Sequence, residues 1–123
     1  CPAFAALSPI TLTDIADKMR RERVERGATI VRQGEPGDEF YIIRSGADDV
    51  YRDVSGVPTR MTTLREGEFF GETALSGEAG DATAIAAGET DLYVLAQSDF
   101  QAAIESSASF NEVMLRALFH RQA

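Results

Sequence analysis

GATIVRQGEPGDEFYIIRSG, residues 27–46, carries two runs of β-forming side chains on either side of one turn cluster. TIVRQ (29–33) and EFYIIR (39–44) are short and rich in β-branched and aromatic residues, so each predicts a strand. GEPGD (34–38) and Ser45-Gly46 supply the Gly, Pro, Asp and Ser that turns select. The alternation of strand and turn continues outward. DDVYRDV (48–54), RMTTL (60–64), ATAIAA (82–87) and LYVLA (92–96) read as strands, and Arg26-Gly27-Ala28, SGVP (55–58) and Gly88 as turns.

Helices bracket the strands. Ser8-Pro9 is a helix start, and Leu12, Ile15, Ala16 and Met19 recur at helical spacing, predicting an amphipathic helix over 9–20. Two capping boxes, Ser98 with Gln101 and Ser109 with Glu112, open two helices at the other end. Phe110, Val113, Met114, Ala117 and Leu118 make an apolar stripe on the last one, read as core or as a partner-facing surface. No internal repeat or linker interrupts the 123 residues, so 1–123 reads as one domain. A helix, then seven or so strands, then helices predicts a β-sandwich or barrel with helices at its ends.

No run of 18 apolar residues exists, so no membrane span is expected in this segment. CPAFAAL is no signal peptide, and the missing initial Met predicts a piece of a longer protein. Cys1 is the only cysteine, which excludes a disulfide framework and fits a cytoplasmic setting. The net charge of −8 argues against direct contact with nucleic acid. Its distribution is uneven. Residues 1–65 hold ten basic and ten acidic side chains, whereas 66–115 hold ten acids and no base.

Catalysis is not expected. The chain has one His, one Lys and one Cys, with no nucleophile–base motif, nucleophile elbow or P-loop. No metal-ligand set appears either: His120 reads as a helix C-terminal residue favoured by the dipole, and Asp48, Asp49 and Asp53 as surface charge scattered over both faces of a strand.

The order of motifs resembles the cyclic nucleotide-binding domain family, from about Phe4 to Phe119. FAALSP with its helix looks like the family's N-terminal helical segment, and 27–46 like its two strands joined by a Gly-Pro-Gly turn. LREGEFFGETAL (64–75) looks like the run leading into the phosphate-binding cassette, and LYVLAQSDF (92–100) like the last strand and following helix. The resemblance implies a mainly β, jelly-roll-like double-stranded β-barrel of eight strands with flanking N- and C-terminal helices. It also implies a phosphate cradle in which Gly71 permits close backbone approach, unless turn geometry alone requires it. The N–H groups of Thr73, Ala74 and Leu75 would face the phosphate, and Glu72 would accept from a ribose hydroxyl.

The family's next requirement is an arginine about nine residues after that glutamate, which ion-pairs with the phosphate. GEAGDATA (77–84) holds none. Counted forward from Glu72, Asp81 stands in its place; counted back from Leu92, Gly80 does, leaving Asp81, Ala82 and Thr83 to complete the cassette. A countercharge would have to come from residues 1–65 or the C-terminal tail. A charge pair at about 4 Å and an effective dielectric near 20 is worth roughly 4 kcal/mol, so even half that loss lowers affinity more than tenfold. The expectation is therefore a regulatory ligand-sensing module, without a cofactor, whose cAMP or cGMP binding is weak or lost. It would contact an effector domain or subunit through its C-terminal helices. Two alternatives stand beside it: a degenerate protein–protein interaction or autoinhibitory domain, and a pocket re-tuned for an uncharged ligand such as a nucleoside.

Overall fold

The computed structural model describes residues 7–71 and 80–122, with the side chains of the last helix as far as Arg116. Eight strands form two antiparallel sheets. β1 (Arg20–Val24), β8 (Thr90–Ala96), β3 (Glu39–Ser45) and β6 (Phe69–Phe70) build one, in that order. β2 (Thr29–Val31), β7 (Thr83–Ala86), β4 (Ala47–Val54) and β5 (Val57–Arg65) build the other. Helix α1 (Pro9–Ile15) precedes the strands, and α2 (Gln97–Ser106) and α3 (Ala108–Gln122) follow them. This is the mainly β, jelly-roll-like arrangement with flanking helices that the sequence predicts.

The run Phe40-Tyr41-Ile42-Ile43 is apolar throughout because β3 is covered on both faces. Phe40 and Ile42 point to the helices and pack with Ile15, Phe69, Leu95, Phe100, Phe110 and Met114. Tyr41 and Ile43 point the other way, into the space between the sheets, with Leu64, Phe70, Ala84, Leu92 and Val94. Adjacent residues of a strand face opposite sides, so Phe69 and Phe70 divide between the same two cores. Phe40 is the centre of the helix-side cluster. Its ring stacks on Phe100 at 4.5 Å and meets Phe110 edge-on at 5.7 Å.

Three sequence expectations are corrected. The first helix stops at Ile15 rather than residue 20: one 3₁₀ turn, Ala16–Lys18, follows, and Ala16 is exposed. Arg20–Val24 then joins the edge of the first sheet. Arg and Glu favour helix locally, but here Arg20 bridges Glu39 at 2.7 Å and Arg23 bridges Glu89 at 2.7 Å and Asp91 at 3.2 Å, while the backbone pairs with β8. Second, the turn after β4 is only Ser55-Gly56, both at positive φ, in a two-residue hairpin. Pro58 is already inside β5, at an outer edge where a missing N–H is tolerated.

Third, neither predicted capping box forms. α2 begins at Gln97 with no side-chain cap. α3 is capped by Ser107, whose Oγ accepts from the Phe110 N–H at 3.3 Å and whose carbonyl accepts from Asn111 N–H at 3.0 Å. Ser109 instead bonds the Thr11 hydroxyl at 2.9 Å, tying α3 to α1, which is itself capped by Ser8 as predicted.

Because Phe40 joins a sheet to both C-terminal helices, Phe40→Ala is expected to destabilise the chain by about 3–5 kcal/mol. Urea unfolding followed by circular dichroism measures it.

Candidate functional site

A cavity of about 470 Å³ opens between the second sheet, the β2–β3 turn and the loop residues 80–82 just before β7. Such a volume suits a small molecule. Ile30, Val50, Leu64 and Ala84 give it an apolar floor, and Tyr41 and Phe70, stacked at 4.9 Å, form one side. Burial first, and then the charge of Glu39, raise the Tyr41 hydroxyl above its ordinary pKa. It stays protonated and donates to Glu39 Oε1 at 3.2 Å.

Gly71 lies on the wall of this cavity at φ +93°, and a Cβ there would meet the Glu39 carbonyl at 2.7 Å. Both backbone conformation and close approach to β3 thus require glycine. Gly80 is clamped reciprocally to the β2–β3 turn: Gly34 N–H donates to its carbonyl at 2.9 Å, and its N–H donates to the Glu35 carbonyl at 3.0 Å. A Cβ on Gly80 would find its nearest neighbours at 3.7 Å, an ordinary contact. Asp81 and Ala82 also line the cavity. Thr83 faces elsewhere, its Oγ1 accepting from the Gln33 N–H at 3.0 Å. Glu72, Thr73, Ala74 and Leu75 lie outside the described residues.

Two cations stand in the stretch from which a countercharge was expected, residues 1–65. Arg32, just past β2, and Arg52, on β4, reach the cavity from the first half of the chain. Their signal was positional: Val50 and Arg52 are two apart on a strand whose Val50 faces the core. Both arginines already have acidic partners. Arg32 Nε is 3.4 Å from Glu35, and Arg52 Nη2 is 3.3 Å from Asp81 Oδ2. Among the described residues, the lining carries four acids against these two cations: Glu35, Asp38, Glu39 and Asp81. The mouth is therefore net negative.

Residues 21–107 match the family described as "Cyclic nucleotide-binding domain". The chain belongs to that family. The cyclic nucleotide-gated potassium channel mll3241 of Mesorhizobium japonicum is 36% identical over 122 residues, 98% of this chain and 33% of that protein. Among solved structures, the catabolite activator protein of Thermus thermophilus superposes with a TM-score of 0.81 at 28% identity, over 99% of this chain and 58% of that one. The regulatory domain of Toxoplasma gondii PKA, crystallised with cAMP, gives 0.75 at 29% identity, over 90% and 43%. The chain spans a third or less of the length of the curated relatives it matches. No helix among the described residues is long and apolar enough to cross a membrane.

The three aspartates of β4 part company. Asp53 is exposed, with its backbone N–H donating to Gln33 Oε1. Asp49 accepts from the Thr63 hydroxyl at 2.6 Å and lies 3.8 Å from Arg60. Asp48 corrects the surface-charge expectation. It is fully buried, opposite Leu64 and Ala86, and its carboxylate oxygens have no hydrogen-bond partner among the described residues. Thr90, the neighbouring hydroxyl, donates to the Ala47 and Gly88 carbonyls. No group of acidic side chains able to hold a metal ion occurs among the described residues.

Burial pushes Asp48 up to about 6 from 3.8, and the charge of Asp49 adds to the rise. A carboxyl whose folded pKa is raised binds more protons folded than unfolded, so stability falls as pH rises from about 4 to about 6. The full term is about 3 kcal/mol. Asp48→Asn should remove it, so the stability difference between variant and wild type should move in the variant's favour from pH 4 to pH 7. Urea titrations of both proteins at the two pH values read this directly.

Proposed function

We propose that the chain is the ligand-sensing module of a longer, cytoplasmic regulatory protein, non-enzymatic in itself, whose affinity for cAMP and cGMP is weak or lost. The observation that carries this reading is the charge around the cavity: two arginines, each with an acidic partner, against four carboxylates. A cyclic phosphodiester would bring a further negative charge to a mouth that is already net negative. Family membership supports the sensing role. α2 and α3 meet the sheet through Phe100 and Phe110, so a change at β3 or β6 has a packed route to them and to an effector docked on them. Gly71, Gly80, Asp81 and Ala82 are proposed as ligand-facing residues, together with Glu72, Thr73, Ala74 and Leu75 of the same cassette, whereas Thr83 is turned to Gln33.

Calorimetry with cAMP and cGMP is expected to give dissociation constants near millimolar or no heat. Micromolar binding by the unaltered chain would overturn the reading. Gly80→Arg has room for its Cβ, and either it or Asp81→Arg is expected to tighten cAMP binding at least tenfold, according to which position faces the phosphate.

A second reading is favoured by the Tyr41–Phe70 stack over an apolar floor with carboxylate acceptors at the mouth. These features suit an uncharged nucleoside. Such a ligand at 100 times its Kd adds about 2.7 kcal/mol of stability, which a thermal-shift panel of nucleosides detects; a flat panel removes this reading.

A further inference from the structure

Arg52 comes to the cavity from β4, the strand paired with β7, and ends at Asp81, in the loop residues just before β7 where the family's phosphate-binding arginine is missing. Its Nε donates to the Asp81 carbonyl at 3.3 Å and its Nη2 to Asp81 Oδ2 at 3.3 Å. Gly80 and Ala82, on either side of Asp81, line the same wall. The pair is thus made on the cavity wall itself.

We infer that Arg52 is an anion-contact residue of this cavity and that Asp81 acts as a built-in competitor, holding the guanidinium and cancelling its charge. The inference rests on the reading of the cavity as a weak cyclic-nucleotide site. Both side chains are about half exposed, 49% and 50%, so the pair is screened and contributes little net stability. A ligand phosphate can open it. The carboxylate then remains beside the phosphate, and its repulsion offsets what the guanidinium contributes. Arg32 differs, because its partner Glu35 belongs to its own turn, three residues on, and does not involve the loop. Neutralising Asp81 should therefore uncover the Arg52 charge at the wall from Gly80 to Ala82 while leaving the backbone clamp of Gly80 intact.

The test is calorimetric titration of cAMP, with adenosine as the uncharged control, into the full chain, Asp81→Asn, Arg52→Gln and the double variant. Asp81→Asn is expected to bind cAMP at least tenfold more tightly than wild type, to lose that gain when Arg52→Gln is added, and to bind adenosine within twofold of wild type. No gain in Asp81→Asn, checked with Asp81→Ser in case the first variant unfolds, overturns the inference while weak wild-type binding leaves the functional reading standing. A gain that survives Arg52→Gln, or one matched by adenosine, overturns it as well. Should wild type bind cAMP at micromolar strength, the functional reading falls and Arg52→Gln alone decides: a tenfold loss supports the contact, and an unchanged affinity removes it.

Discussion

Phe40 and Tyr41 are neighbours on β3 and belong to different cores, one facing the helices and the other facing the second sheet. The rest of the structure depends on this two-sided burial. A strand covered on both faces has no register at which a polar residue could be tolerated, so slippage by one residue would be costly on both sides at once. β3 is thereby fixed against β8 and β6. Its two faces then position what lies beyond them: Phe40 holds α2 and α3, and Tyr41 forms a wall of the cavity. Sensing and transmission can be joined through a single strand because of this arrangement.

The electrostatics of the cavity mouth follow a different logic. Arg20, Arg32 and Arg52 each meet a cavity-lining carboxylate, Glu39, Glu35 and Asp81 respectively. At these partly exposed positions each pair contributes about 0–1 kcal/mol. Their consequence is for ligands more than for folding. A cation already within reach of a carboxylate offers an incoming phosphate only the difference between two attractions.

Much of the fold was legible because its determinants are local. EFYIIR announces a strand, and Ser8-Pro9 announces a helix start. The misreadings occur where tertiary contacts override local preference. RRERV has helix-favouring side chains and no alternation, and only its pairing with β8 makes it a strand. Ser109 has the spacing of a cap but is drawn to Thr11, ninety-eight residues away, and Ser107 takes the role. At the site, the absence of a cation from the loop was legible, whereas Arg52 was not. Its relevance arises from the pairing of β4 with β7, a contact between segments some thirty residues apart. Asp48 was misread for a related reason: alternation along β4 places carboxylates on both faces, but does not say that the inner face is sealed by Leu64 and Ala86.

Shape and charge are thus maintained by separate means in this cavity. The reciprocal bonds between Gly34, Glu35 and Gly80 are main-chain bonds, indifferent to the side chains at 80 and 81. Gly71 is required because a Cβ there would meet the Glu39 carbonyl at 2.7 Å, again a backbone requirement. Leu64 and Ala84, on the floor, belong to the core between the sheets, so the cavity persists for as long as that core does. By contrast, the charged residues at the mouth form weakly stabilising pairs that can change without unfolding the domain. A cavity that depends on glycines and core residues therefore keeps its shape whatever charges stand at its mouth.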